Sequence, residues 1–424
     1  MIVKRSIVIL LIIVFVFMSV SCSNSNATSK EPNEKDNSEN QPEIKERTLT
    51  IWQATLGGGG ADLEKPEDEW VYTKLCRMFE EINPGLTIIS EYLDNVAAQS
   101  KIKAAILAGN APDIVNTASG YRVTDLKDIY IDISEMIPQR DRNDIFGWST
   151  VAENMDEKNA IYGYPAGGIE IGMLYYNKKL TEQAGVDMLS LKTADDFFIA
   201  MRQIQDSGIQ PIISSSWGGN YGWLFTFCAW MLQEIPVERI FSNGFGQTKF
   251  SEDTAFINSL KLQAQLFDEG LLNKDYATLE DAMGEFYAGN AACTTMGNWD
   301  LQNAYDIMGD DVDFIILPDV RSGCAFPGAT SGGPGQALCV LNTSKHPQLA
   351  VDFLSFVSSR DSTIMLLSEG SAALPKRTDV SAADLGWTGI AILEKQFKYK
   401  DKAVVWPDNC LQEEMLNEFL KQME

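Results

Sequence analysis

Residues 161–185 read IYGYPAGGIEIGMLYYNKKLTEQAG. Gly163, Tyr164 and Pro165 spell a turn, and a flexible Gly167-Gly168 pair follows. The run from Ile169 to Tyr176 alternates and ends in aromatics, as a strand does. Asn177 closes it, and Lys178 to Ala184 reads as a short helix stopped by Gly185. Turn, strand and helix within 25 residues make a crossover, a place where a chain leaves one packed layer and enters another. A strand–helix joint inside one α/β domain has the same pattern, so the flanks must decide.

On the N-terminal side the periodicity gives a β-α-β-α-β order. Its strands are Thr48–Ala54, Leu86–Glu91 and Pro112–Asn116, and its helices Glu67–Ile82 and Asn95–Leu107. That order implies an α/β layer with right-handed crossovers and ligands at the carboxyl ends of the strands: residues 53–60, 91–95 and 116–119. On the C-terminal side, helices are expected at Thr193–Ser207, Asp253–Glu269, Thr278–Ala288, Pro347–Ser358 and Ser362–Ser368. Strands are expected at Ile209–Ser214, Ala291–Met296, Val312–Leu317 and Ser331–Val340. The length of 424 residues suits two domains.

The chain carries 59 acidic against 34 basic residues, a formal charge of −25. Nucleic acid and anionic membrane surfaces should repel it. Lys4 and Arg5 followed by an apolar run over Ile7–Val20 form a targeting segment, shorter than the roughly 20 residues of a membrane span. Its end resembles a bacterial lipoprotein signal, with Ser21 before Cys22, although Ser19 stands where Leu is usual. That resemblance implies cleavage of residues 1–21 and a lipid anchor on Cys22. Residues 23–47, rich in Ser, Asn, Glu, Lys and Pro, read as a disordered tether reaching some ~25–30 Å. Cys76, Cys228, Cys293, Cys324, Cys339 and Cys410 show no metal-ligand spacing. Export permits their oxidation without specifying a pairing; Cys76 and Cys228 read as buried thiols.

His346 is the only histidine and precedes a helix-starting Pro347, so histidine-based triads and metal sites are unsupported. Gly57 to Gly60 lacks the Lys-Ser/Thr of a phosphate-binding loop. No cofactor or metal is expected. Binding residues are better represented. A sugar needs Trp or Tyr faces for its C–H surfaces and polar side chains for its hydroxyls. Four stretches combine them: Trp217 with Asn220, Tyr221 and Trp223; Asn298-Trp299-Asp300; Tyr164 with Glu170; and Trp406 with Asp408. Trp70, Trp148 and Trp230 read as packing residues.

An ordered set of motifs resembles the extracellular solute-binding proteins of ABC importers, in the carbohydrate-binding group that includes maltose-binding protein. The set is APDIV (111–115), YGYP followed by LYYNKKLTEQAGVD (162–187), FYAGNAACTTMGNW (286–299), SGGPGQALCV (331–340), HPQLAVDFLSFVSS (346–359) and ALPKR (373–377). The helix after Asp187 lacks the Trp usual in that group. The resemblance implies a periplasmic-binding-protein-like α/β fold of two lobes, each a sheet flanked by helices, with a ligand cleft and hinge between them. The N-lobe would comprise 48–168 and 312–342, the C-lobe 169–311 and 343–424. Cleft residues would be Gln53, Asn116 and Ser119 from the N-lobe, with Tyr164, Glu170, Trp217, Tyr221, Asn298, Trp299, Asp300 and Arg377 from the hinge and C-lobe. Gly332 and Gly333 would allow close backbone approach. The implied protein is a monomer without catalytic activity, held outside the cytoplasm by its lipid anchor, that delivers a sugar to transmembrane permease subunits. A secreted glycoside hydrolase, or a binder of a polyamine or peptide, is the alternative.

Overall fold

The computed structural model describes residues 45–53, 65–93, 95–215, 226–244, 248–370, 373–412 and 414–415. The leader, Cys22, most of the tether, Trp217 and Tyr221 lie outside the described residues. Nine strands occur among those described: β1 Arg47–Gln53, β2 Leu86–Tyr92, β3 Ile114–Ala118, β4 Gly163–Asn177, β5 Ile212–Ile213, β6 Cys293–Gly297, β7 Val312–Ile315, β8 Thr330–Val340 and β9 Ala403–Val405.

The N-terminal strands follow the expected α/β order. β1 runs parallel to β2, from Arg47↔Leu86 to Gln53↔Tyr92, and parallel to β3 at Ile51↔Ile114. Along β1, Leu49, Ile51 and Gln53 point into the interior and Thr48 outward, the period of two that a strand with one covered face requires. The helix Val71–Glu81 covers that face with Val71, Tyr72, Leu75, Cys76 and Phe79. Asp113 fastens β1 in place: its Oδ2 accepts from both the backbone N–H and the hydroxyl of Thr50 at 2.8 Å.

β4 joins the two halves of the molecule. Its first part pairs antiparallel with β8, from Gly163↔Cys339 to Ala166↔Gln336 and again from Ile169↔Pro334 to Ile171↔Gly332. Its second part lies between β6 (Gly172↔Gly297 to Tyr176↔Cys293) and β7 (Leu174↔Ile315 to Asn177↔Val312). With β8 also antiparallel to β3, the strand order is β2-β1-β3-β8-β4-β6-β5, a curled sheet continuous through both lobes. Residues 163–165, expected as a turn, are strand. Gly163 makes this possible, because a Cβ there would lie 2.2 Å from the Leu338 carbonyl oxygen. Pro165 is tolerated because the ladder breaks immediately after it, in a bulge between Ala166 and Ile169 that takes up the two glycines.

Two placements differ from the expected lobe boundaries. β7 pairs with the second part of β4, and the chain rejoins the first sheet only at β8. The helix Pro347–Val357 packs in the first core, where Phe353 meets Tyr72 and Phe79 edge-on at 6.1 and 5.2 Å. Beyond Gly172, β4 is covered on both faces. Leu174 and Tyr176 enter a core with Phe197, Phe198 and Trp230, while Met173 and Tyr175 enter another with Phe286, Phe314 and Leu393. Double coverage explains why the run 171–176 is almost wholly apolar. The six described cysteines are free and buried, and burial pushes the Cys76 thiol up to about 12. No described helix is long and apolar enough to cross a membrane.

Candidate ligand-binding site

Where β4 meets β8, polar and aromatic groups gather around Glu170. Glu170 pairs with Gly333 across the ladder, and the Trp406 indole N–H donates to its Oε2 at 2.9 Å. Glycine makes the room. A Cβ on Gly335 would lie 2.8 Å from Glu170 Oε2 and 3.0 Å from the Trp406 ring, and one on Gly332 would lie 2.2 Å from the Glu170 carbonyl oxygen. Gly332 and Gly333 have φ of +148° and +108°, which only glycine adopts without strain. The Trp299 ring lies across Gly297 and sits 5.9 Å from the Trp406 ring, tilted by 56°. Trp406 is buried, whereas Trp299 and Glu170 each keep an accessible part.

The segment 406–410 is tied to both neighbouring strands. Asn409 Nδ2 donates to Ser119 Oγ at 2.9 Å and to the Gly335 carbonyl at 3.2 Å, and Ser119 Oγ donates to the Pro334 carbonyl at 2.9 Å. Two carboxyls here are held well above the ordinary carboxylate range. Burial pushes Glu170 up to about 7; the nearby Asp408 charge adds to the rise and the Trp406 hydrogen bond opposes it. Burial also raises Asp408 to about 6, against its backbone hydrogen bonds and the field of Arg122. An aromatic face beside a carboxyl that can accept or donate suits a ligand with apolar faces and many hydroxyls. Among the described residues no group of three or more His, Cys, Asp or Glu could hold a metal ion.

The sequence profile of the bacterial extracellular solute-binding proteins matches residues 74–392. The chain belongs to that family. It is 22% identical over 334 residues, 73% of this chain and 69% of the other, to an uncharacterized ABC transporter extracellular-binding protein of Pyrococcus horikoshii. Among solved structures, a chitin oligosaccharide binding protein aligns with a TM-score of 0.71 at 19% identity, covering 89% of this chain and 97% of the other. The sugar-binding protein MalE of Xanthomonas citri aligns at 0.67 and 18%, covering 89% and 90%. These likenesses show the two-lobe fold. The family and both neighbours are binding proteins.

In this solute-binding protein, four of the expected residues meet at the crossing point: Ser119, Glu170, Trp299 and Gly333. The other described candidates are buried or hydrogen-bonded elsewhere in the fold. Gln53 ends β1 buried, its carbonyl accepting from Leu93 N–H. Asn116 is buried and donates to the Ala337 carbonyl, bridging β3 to β8. Tyr164 lies in the first core, edge-on to Trp148 at 5.0 Å, and donates to Asp141 at 3.0 Å. Asn298 is fully buried; its Oδ1 accepts from Ile171 N–H at 2.9 Å and its Nδ2 donates to the Ile169 carbonyl and to Gln396. Asp300 accepts from Tyr287 and Asn303, and burial raises its carboxyl. The Arg377 guanidinium is taken up by Asp379, Asp144 and the Ser358 carbonyl. Asn409 escaped the sequence reading altogether. Trp406 and Asp408 stood out as an aromatic–polar stretch but had no motif to assign them to the cleft. The signal was WPDN, an aromatic followed by a turn former and two polar residues.

Proposed function

We propose that the protein captures a mono- or oligosaccharide at the crossing of β4 and β8, by closure of its two lobes, and delivers it unchanged to the permease of an ABC importer. One observation carries the reading: Trp299 and Trp406 form an aromatic pair beside Glu170 on the strand shared by both lobes. A sugar ring stacks its C–H face on the accessible part of Trp299 and places hydroxyls against Glu170. β4 is the hinge. A ligand touching residues of both lobes there binds the closed form better than the open one, and only that difference can drive closure. The names of the chitin oligosaccharide binding protein and of MalE support a sugar over other solutes. The protein acts as a monomer, outside the cytoplasm, on a tether anchored through lipidated Cys22.

The test is thermal unfolding, followed by calorimetry, against mono- and oligosaccharides, amino acids and polyamines. A saturable rise with one sugar class is expected. Stabilisation by a polyamine and by no sugar would overturn the assignment. So would release of reducing sugar from an oligosaccharide by the purified protein, since that outcome belongs to a glycosidase.

A further inference from the structure

The elements that meet at the crossing of β4 and β8 carry carboxyls and no cation. Glu170 is the one charged residue of β4, and β8 has none. The segment 403–410 contributes Asp408, and the turn after β6 contributes Asp300. Asn116 to Gly120, at the carboxyl end of β3, are uncharged. The internal segments outside the described residues hold no Lys or Arg in their sequence either. Arg122, on the helix Tyr121–Asp125, acts on Asp408. Glu170 feels the Asp408 charge and the Trp406 indole, and no cation is among the groups that shift it. The hydrogen-bond donors nearby are already spent. Trp406 Nε1 is given to Glu170 Oε2, and Asn409 Nδ2 to Ser119 Oγ and the Gly335 carbonyl. Among the described residues no other donor reaches the Glu170 carboxyl, which keeps an accessible part. A ligand hydroxyl placed there donates to the free oxygen. A ligand carboxylate placed there meets like charge, and finds no cation to offset the water it gave up.

We propose that Glu170 is the specificity-determining residue of this site and makes it select uncharged sugars against uronic acid sugars, whose carboxylate it repels. The inference rests on the sugar reading above and narrows it. Glu170 stands on the strand shared by both lobes, so a repelled carboxylate disfavours the closed form that captures ligand. Two like charges within about 5 Å in a partly buried site set a discrimination of about 100-fold or more. Acid discharges the filter. Burial holds Glu170 up at about 7, so it is neutral at pH 5. A uronate in water, with an ordinary carboxylate value of about 3–4, is still ionised there. Asp408, held up at about 6, discharges over the same range, while Asp300 is engaged by Tyr287 and Asn303.

The experiment compares glucose, galactose and mannose and their oligomers with the matching uronates, which differ in one group, a carboxylate for a primary alcohol. Thermal unfolding at pH 7.5 in 0.15 M salt, which screens the charge of the rest of the chain over about 8 Å, finds the series that stabilises the protein. Calorimetry then gives the ratio of affinities within each pair. The uncharged member should bind about 100-fold or more tightly. The uronamide, with the shape of the uronate and no charge, should bind like the uncharged sugar. The ratio should narrow at pH 5, and by about tenfold or more in Glu170→Gln at pH 7.5. The part of the pH effect that persists in Glu170→Gln belongs to Asp408. A uronate that binds as tightly as its partner overturns this inference and leaves the sugar reading standing, and so does a uronamide excluded as strongly as the uronate. An unchanged ratio in Glu170→Gln overturns the role of Glu170. If that variant does not fold, the pH series on the unaltered protein decides, and a ratio constant from pH 7.5 to 5 overturns the inference. A protein stabilised by no sugar of either kind overturns both readings.

Discussion

Asn298→Ala separates a ligand contact from a structural clamp. The Asn298 side chain makes three hydrogen bonds: from Ile171 N–H at 2.9 Å, to the Ile169 carbonyl at 3.2 Å and to Gln396 Oε1 at 2.9 Å. Truncation leaves the Ile169 carbonyl with its bond from Leu374 N–H at 2.9 Å, but strips the Ile171 N–H and Gln396 Oε1 of this partner. Two buried groups at about 1–3 kcal/mol each set the scale. The void admits a water that recovers part of the loss, which places the expected destabilisation at about 2–3 kcal/mol. Over a fold of this size that is a fall of about 3–4 °C in Tm. Urea unfolding gives the stability and calorimetry on the folded protein gives the affinity for the proposed sugar ligand. Stability should fall by the stated amount while affinity changes by less than about threefold. A destabilisation under about 0.5 kcal/mol, or a lost affinity at unchanged stability, would refute the clamp and return Asn298 to the ligand.

Trp299→Ala removes the accessible aromatic face and should weaken sugar binding by about tenfold or more in calorimetry, with only about 1 kcal/mol of stability lost, the worth of one aromatic pair. Tyr164→Phe should cost about 1 kcal/mol in urea unfolding and leave affinity unchanged, because Asp141 keeps its bond from Ser355 at 2.6 Å. Trp406→Phe deletes the hydrogen bond that holds the Glu170 carboxyl down, so the midpoint of sugar affinity against pH should move to higher pH; a move to lower pH would refute the assignment. Lys376 is buried, donates to the Pro165 carbonyl and Ser358, and is lowered to about 7 by burial, with Arg377 adding. Between that value and its ordinary value of 10.5 the unfolded chain binds more protons, so its contribution to stability rises with pH across this window. Glu170 has the opposite sign: the folded state holds the proton between 4.5 and about 7, and stability falls as pH rises through that range. Urea unfolding from pH 5 to 10 should therefore show a shallow minimum near pH 7, and Lys376→Met should flatten the alkaline limb alone.

The elements were legible wherever one physical preference ruled. The strand at β1 and the helix that buries Leu75 and Phe79 needed no knowledge of the rest of the chain, whereas Met78 and Ile82, apolar positions of the same predicted helix, are exposed. Trp299 is a candidate by its sequence context, with a Gly-Asn before it and Asp300 after it. What could not be read was which partner consumes a polar group. Arg377 sits in a recognisable motif, yet its charge is spent on Asp144, 233 positions away, and on Asp379. Asn298 has the same composition around it whether it meets solvent or the backbone of β4. Tyr164 follows a glycine in an apparent turn, and only the approach of Trp148 shows that it faces inward. The helix Pro347–Val357 has apolar positions that suit either core; the aromatic contacts of Phe353 decide.

The shared strand also limits how this molecule can be divided. Gly163–Asn177 is hydrogen-bonded to β8 through its first part and to β6 and β7 through its second, so a single strand carries the ladders of both halves. Neither half is therefore a separable module. Recombination that joined a foreign first half at position 168 would graft one end of a strand whose register with β8 was set by the other end. Diversification of such a scaffold is channelled into substitutions and loop changes around an undivided strand, rather than into exchange of whole lobes.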